Sequence, residues 1–460
     1  MAQGVLDANI LNDLNAFNAK VEFKGIDAKI VVLDDDPTGI QSVHDVLVIT
    51  QPTLDNLKEA MTSSGSLFYI LTNSRSFSEE KTAEYHRELT QLIVEAANQS
   101  KTDFMILSRG DSTLRGHYPL ETEIIRQVLE ENGQQIDGEI ICPYLDGIRK
   151  TENDIHYVKT DDGWLPCGES EFAKDKSFAY HASDLKEYVE EKTKGAYKAA
   201  DCISISLEDL NDEHTVIEKL NSVSDFNKVI INCTCMNDLK KFVCAFEKCR
   251  KRYMFRCAAS IVKELAHIED RPYLTKEDCV QEGTGGLILV GSHVKKTASQ
   301  LAYLKEHAKD LVWIEFNQHK VLDNTLHEES LRVSGELEKV LKEDKVAVVA
   351  TRRERVDFPG DDPEKQLEMA TAISSELIGV LSRLTIRPRF LITKGGITSS
   401  DALTIGLKVS KEWVLGQIQQ NVGVVRCLEG SKFENLPVVV FPGNVGDETT
   451  LYKVVETLHS

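Results

Sequence analysis

Short β-branched runs alternate with amphipathic stretches along the whole chain, the pattern that builds parallel α/β sheets. In the first part the apolar runs predict strands from Ile30 to Leu33, Val46 to Ile49, Leu67 to Leu71, Phe104 to Leu107, Glu139 to Cys142, Cys202 to Ile205 and Val229 to Asn232. Helical spacing fills the intervals, as in EEKTAEYHRELTQLIVEAANQ. A second series follows: GLILVG, LVWIEF, KVAVVAT, RFLITKGG, VGVVRCL and LPVVVFPGN. Between the two series lies HIEDRPYLTKEDCVQEGTGG, polar and glycine-ended, which sets a boundary near residues 268 to 285. The predicted fold class is therefore α/β. It has two domains, each a mostly parallel sheet flanked by helices, with the active site in the interdomain cleft. The divisions are an extension over 1–27, a domain over 28–270, a linker over 271–284 and a domain over 285–460.

A length of 460 residues agrees with two cores rather than one. The net charge of -20 argues against nucleic acid or an anionic membrane as the main partner. It is spread over helical stretches such as LKEYVEEKTKG and reads as solvated faces. The ten cysteines are scattered, without a C-x-x-C pair, and the N-terminus lacks a basic start followed by an apolar core. Reduced thiols and a cytoplasmic location are the expectation. No apolar run reaches the roughly 18 residues of a membrane span.

The chemistry gathers where apolar runs end, which is where open parallel sheets bind ligands. VVLDDDPTG closes a strand with Asp34, Asp35 and Asp36, a costly juxtaposition unless cations or hydroxyls meet it. TNSRSF and SRGDSTLRGH add Arg75, Arg109, Gly110, Asp111 and Arg115, with the hydroxyls of Ser74, Ser112 and Thr113. Arginine forks suit a carboxylate or phosphate, and a carboxylate takes a proton from an alcohol, so the set suits a small polyhydroxy acid. Mutual bracing of these charges is the alternative reading. In the second series GSHVKKT departs from the Walker pattern because Val294, not glycine, precedes Lys295. Even so, Gly291 and Ser292, Gly395 and Gly396, and Gly443, Asn444 and Gly446 put three glycine turns at strand ends, a cradle for a nucleotide. Lys295, Lys296 and Lys394 are candidates to neutralise its phosphates. LDDDPT also fits the opening D-x-D-x-T of haloacid-dehalogenase-type phosphatases, with Asp34 as nucleophile. Pro37 and the lack of a matching late acidic motif speak against it.

Taken together, LDDDPTG, TNSRSF, SRGDSTLRGH, ESEFAKD, VGSHVKKTASQL, TKGGITSSDAL and LPVVVFPGNVGD resemble the four-carbon acid sugar kinase family, in the family's order from about residue 28 to 455. The resemblance implies an acid-sugar-binding domain followed by a nucleotide-binding domain. It implies ATP-dependent phosphorylation of the terminal hydroxyl of threonate, erythronate or 3-oxo-tetronate, with magnesium whose ligands stay unassigned. It makes Asp35 the catalytic carboxylate, with Asp111 second. Asp35, Asp36, Arg75, Arg109, Gly110, Asp111 and Ser112 become substrate contacts, and Ser292, Gly395, Gly396, Ile397, Thr398, Gly443 and Asn444 ATP contacts. A sugar acid and ATP are the implied partners, and a homodimer the assembly considered. Two departures stand out: Ile397 follows the paired glycines where the family often has an acid, and Asn153 and Asp154 interrupt the run after GIRKT. They keep a second reading open, a catalytically altered member that binds a sugar acid or nucleotide.

Overall fold

The computed structural model describes residues 28–354, 356 and 363–459, so the extension over 1–27 lies outside the described residues. By internal packing the described residues form two compact units. One runs up to Asp35 and resumes over Pro52–Ile268; the other comprises Asp36–Gln51 and the chain from Glu269 onward.

The strands in chain order are β1 (Lys29–Asp34), β2 (Val46–Ile49), β3 (Leu67–Leu71), β4 (Phe104–Arg109), β5 (Gly138–Cys142), β6 (Arg149–Glu152), β7 (Ile155–Thr160), β8 (Gly163–Pro166), β9 (Ile203–Ile205), β10 (Asn227–Ile231) and β11 (Tyr253–Cys257). They continue with β12 (Gly286–Val290), β13 (Leu311–Phe316), β14 (Val346–Thr351), β15 (Leu391–Lys394), β16 (Lys411–Gln419), β17 (Val422–Cys427) and β18 (Pro437–Phe441).

In the first unit the order β3-β1-β4-β11-β5-β10-β9 is parallel throughout. Strands β1, β3, β4, β5 and β11 are buried along their whole length, which explains why their text is mostly apolar. One buried charge here is paired across strands: Lys228 Nζ lies 2.7 Å from the Glu139 carboxylate and close to the rings of Tyr197 and Phe226. Strands β6, β7 and β8 form a separate antiparallel sheet. Asn153 and Asp154 are its first turn, with φ of 52° and 63°. A two-residue hairpin of type I′ needs left-handed backbone at both positions, and Asn and Asp accept it. The interruption seen in the sequence is thus a β-turn. Asp154 is further held by Ser204 (2.5 Å), Asn232 (2.8 Å) and Lys186 (2.7 Å).

In the second unit β13-β14-β12-β15-β18 are parallel, and β17, β16 and β2 extend them antiparallel. The segment Asp36–Gln51, contiguous in sequence with the first domain, packs here because β2 pairs with β16, Val48 opposite Glu412. The core joins Ile288, Val290, Val348, Ile392, Val439 and Phe441 to helices Lys295–His307 and Thr450–His459. Among the described residues no helix is long and apolar enough to cross a membrane. All ten cysteines are free thiols.

Glu412 is fully buried in β16, and burial pushes its pKa up to about 8. A raised carboxyl pKa means that the folded chain holds a proton which the unfolded chain has released. Stability therefore falls as pH rises from about 4.5 to about 8, by about 1.4 kcal/mol per unit within that window. Glu412→Gln should flatten this slope. Urea midpoints at pH 5 and pH 8 test it, and equal slopes for the two proteins would refute it.

Candidate active site

In the first unit the parallel register brings the acids and arginines together. Asp34 at the end of β1 is in register with Arg109 at the end of β4, and Arg109 Nη1 donates to Asp34 Oδ1 at 2.9 Å. Asp34 also receives, at its backbone carbonyl, the N–H (2.8 Å) and hydroxyl (3.0 Å) of Thr72. Asp34 thus anchors the loop after β3. Asp35 lies one residue beyond the strand and is 2% exposed. Arg75 grips it with both sides of its fork, Nη2 to Oδ1 at 2.6 Å and Nε to Oδ2 at 3.2 Å; Arg109 Nη1 stands 3.7 Å from Oδ1.

A second layer lies beneath, and sequence reasoning missed it. Arg256 in β11 is in register with Ser108 in β4; its Nη1 donates to Ser108 Oγ (3.2 Å) and Glu121 Oε2 (2.8 Å), its Nη2 to the Arg115 carbonyl (3.3 Å). Ser74 Oγ donates to the other Glu121 oxygen at 2.6 Å. This guanidinium explains two glycines of SRGDSTLRG. A side chain at Gly110 would overlap it, and a Cβ at Gly116 would lie 2.8 Å from Arg256 Nη2 and 3.2 Å from Asp35 Oδ2. Gly116 also has φ of +123°, a conformation that side-chain-bearing residues rarely adopt.

The two candidate catalytic acids are tuned in opposite directions. Burial raises the Asp35 pKa above the usual carboxylate range, against Arg75 and Arg256 and with Glu121 adding to the rise. Asp111 is half-buried, and Arg115, Arg75 and the Arg115 and Thr113 hydrogen bonds more than offset its desolvation and hold it well below that range. Arg115 Nε donates to Asp111 Oδ2 at 2.7 Å, and Thr113 Oγ1 donates to the same oxygen. Gly110 N donates to the Cys257 carbonyl at 2.9 Å, tying this loop to β11. His156 pins Ser112 from below: burial takes its pKa down to about 4, so the ring is neutral. Its Nε2 then donates to the Ser112 carbonyl (2.8 Å) while Nδ1 accepts from Thr151 Oγ1 (3.0 Å). The missed signal was a polar side chain inside apolar text, as in YMFRC and IHYV.

In the second unit three glycine turns converge at neighbouring strand ends. Thr297 Oγ1 donates to Ser292 Oγ and to the Gly443 carbonyl, both at 3.1 Å. A Cβ at Gly443 would lie 3.1 Å from Ser292 Oγ, and one at Gly395 (φ +117°) 3.0 Å from Ser292 Cβ and 3.4 Å from Thr398 Oγ1. Ser292, Gly395, Thr398 and Gly443 therefore share one small region that side chains would fill. Asp36 belongs to this unit: it accepts from Thr38 N (2.8 Å) and Oγ1 (2.6 Å), and a Cβ at Gly396 would come 3.0 Å from its Oδ2. Ile397 is 69% exposed, and Asn444, Lys295 and Lys296 are exposed as well. Lys394 is fully buried beneath the loop, donating to the Pro442 (2.5 Å) and Gly443 (3.2 Å) carbonyls; burial, with Lys296 adding, brings its pKa down to about 7. It braces the turn rather than presenting a charge to solvent. Among the described residues no cluster of three His, Cys, Asp or Glu is placed to hold a metal ion.

The first unit thus carries acids and arginines at parallel strand ends, and the second α/β unit carries converging glycine turns. The chain belongs to the four-carbon acid sugar kinase family: residues 30–265 match its sugar-binding N-terminal domain and residues 287–451 its nucleotide-binding C-terminal domain. Among solved structures a Salmonella typhimurium LT2 protein is similar, with a TM-score of 0.66 at 16% identity over 93% of this chain and 98% of the other. The Haemophilus influenzae protein HI1011 is similar with a TM-score of 0.62 at 15% identity, over 93% of this chain and 100% of the other. At such identities they share the fold. No curated protein matches the chain significantly.

Proposed function

We propose that the chain is an ATP-dependent kinase that phosphorylates the terminal hydroxyl of a four-carbon sugar acid of the threonate, erythronate or 3-oxo-tetronate type. The observation that carries this reading is Asp35. It is a buried carboxylate with an elevated pKa, held by both arms of Arg75 at a strand end of the sugar-binding domain. A base needs an affinity for protons above that of an ordinary carboxylate, and a fixed orientation, and Asp35 has both. Asp111, ionised and held at Oδ2 by Arg115 and Thr113, suits a binding role instead. In the reaction Asp35 takes the hydroxyl proton, the alkoxide oxygen forms a bond to the γ-phosphorus, and the bond from that phosphorus to the ADP oxygen breaks. The nucleotide is assigned to the cradle of Ser292, Gly395, Thr398 and Gly443, where backbone comes close because side chains are absent. Magnesium, when bound with the nucleotide, neutralises phosphate charge.

The test is ADP formation from ATP with magnesium across a panel of four-carbon sugar acids, with a no-acid control. Acid-dependent ADP formation with one or two members is the expected result. ATP binding without any acid-dependent turnover would replace the kinase by a binding protein.

A further inference from the structure

Arginines near the substrate loop differ in how they are neutralised. Arg75 holds Asp35, Arg109 holds Asp34, and Arg115 holds Asp111 at 2.7 Å with Asp175 3.8 Å away. None of these three presents an uncommitted guanidinium to the acid end of a ligand. Arg149, at the first position of β6, has no carboxylate partner of this kind. It is only 7% exposed, its Nη1 donates to the carbonyl of its own neighbour Ile148 (2.7 Å), and its Nε has no hydrogen-bond partner among the described residues. Among those residues no carboxylate lies within 4.0 Å of it. The acid whose charge acts on it is Asp111, and it shares the Phe172 ring with Arg115, the two guanidinium carbons lying 5.7 and 5.1 Å from the ring centre. A buried guanidinium without a counter-ion costs several kcal/mol, and an arriving anion relieves that cost.

We propose that Arg149 receives the carboxylate of the sugar acid, beside Arg115, while Asp111 accepts a hydrogen bond from the hydroxyl next to that carboxylate. This rests on the sugar-acid reading above and reassigns Arg75 and Arg109, which position Asp35 and Asp34. The ligand class that fits is a short 2-hydroxy acid, whose charge and neighbouring hydroxyl span a fork and an ionised acceptor on one loop.

The test is calorimetric titration of the full chain with threonate and erythronate and with their uncharged primary amides, for wild type, Arg149→Met and Arg149→Lys. Arg149→Met should weaken the acids roughly 10- to 100-fold, change amide binding less than about twofold, and leave the ligand-free melting temperature no lower than in wild type. Arg149→Lys should keep the charge, lose the fork, and fall between. Equal losses for acid and amide, or a lower melting temperature without acid-specific loss, would make Arg149 a structural brace and overturn the assignment. If Arg149→Met does not fold, the acid-over-amide preference of Arg149→Lys decides, an unchanged preference counting against it. A wild-type chain that binds ATP but none of these acids would overturn the sugar-acid reading itself, an outcome distinct from acid binding indifferent to Arg149.

Discussion

Asp35→Asn should lower the turnover number for acid-dependent ADP formation by roughly 10²- to 10⁴-fold, the contribution of a positioned general base. The amide is nearly isosteric and still accepts a hydrogen bond from Arg75, so sugar-acid affinity should move far less than turnover. In wild type the acid limb of the rate profile should lie above the ordinary carboxylate range, because burial raises the Asp35 pKa, and that limb should vanish in the variant. Asp34→Asn is the matched comparison. Its carboxylate is engaged by Arg109 at 2.9 Å and its carbonyl holds Thr72, so it should keep more activity than Asp35→Asn. Steady-state kinetics with the acid identified by the panel decide the matter. Near-wild-type turnover in Asp35→Asn would remove Asp35 as the base, and a greater loss in Asp34→Asn would revive the phosphatase-like use of Asp34.

Arg256→Met should destabilise the first unit by about 3–5 kcal/mol, the usual consequence of removing one partner from a buried ion pair. Arg256 gives Glu121 its 2.8 Å partner in the interior and supports Ser108 and the Arg115 carbonyl. Without it Glu121 retains the Ser74 hydroxyl at 2.6 Å and His86 at 3.9 Å. In wild type, burial raises the Glu121 pKa, but Arg256 first, with His86 and Ser74, brings it below the usual value. A depressed carboxyl pKa contributes stability above the unfolded value, and this is lost as pH falls through the folded one. Removing Arg256 reverses the sign, so the variant's deficit should shrink as acid protonates Glu121. Urea unfolding at pH 7 and pH 5 measures both effects. A deficit below about 1 kcal/mol, or one that grows toward acid pH, would show that the pair does not brace the site.

Much of the frame is legible in the text because buried parallel strands are continuous apolar runs. Val46–Ile49 and Leu67–Leu71 are read with their observed bounds, and the ends of β1 and β4 are recognisable from the acids and arginines that follow. What escapes is strand text that carries charge or alternates. Strand β11 is five residues with an arginine at the fourth, β6 is polar throughout, β7 mixes polar and apolar residues, and KEWVLGQIQ of β16 breaks its apolar run with polar positions. Each needs a neighbour to become a strand, and a one-dimensional pattern does not contain the neighbour.

The sequence by itself determined the α/β class, the family, and the loops on which acids, arginines and glycines stand, because these depend on local periodicity and on residue type. Only the tertiary structure decided what those residues are to one another. It gave Asp36 to the second unit beside Gly396, committed Arg75 and Arg109 to Asp35 and Asp34, and set Arg256 under two glycines. It buried Lys394 against backbone carbonyls and left Arg149 without a carboxylate partner among the described residues. The reason is physical: a charge acquires its role from its burial and its nearest counter-charge, and both are set by strands that meet across long stretches of chain.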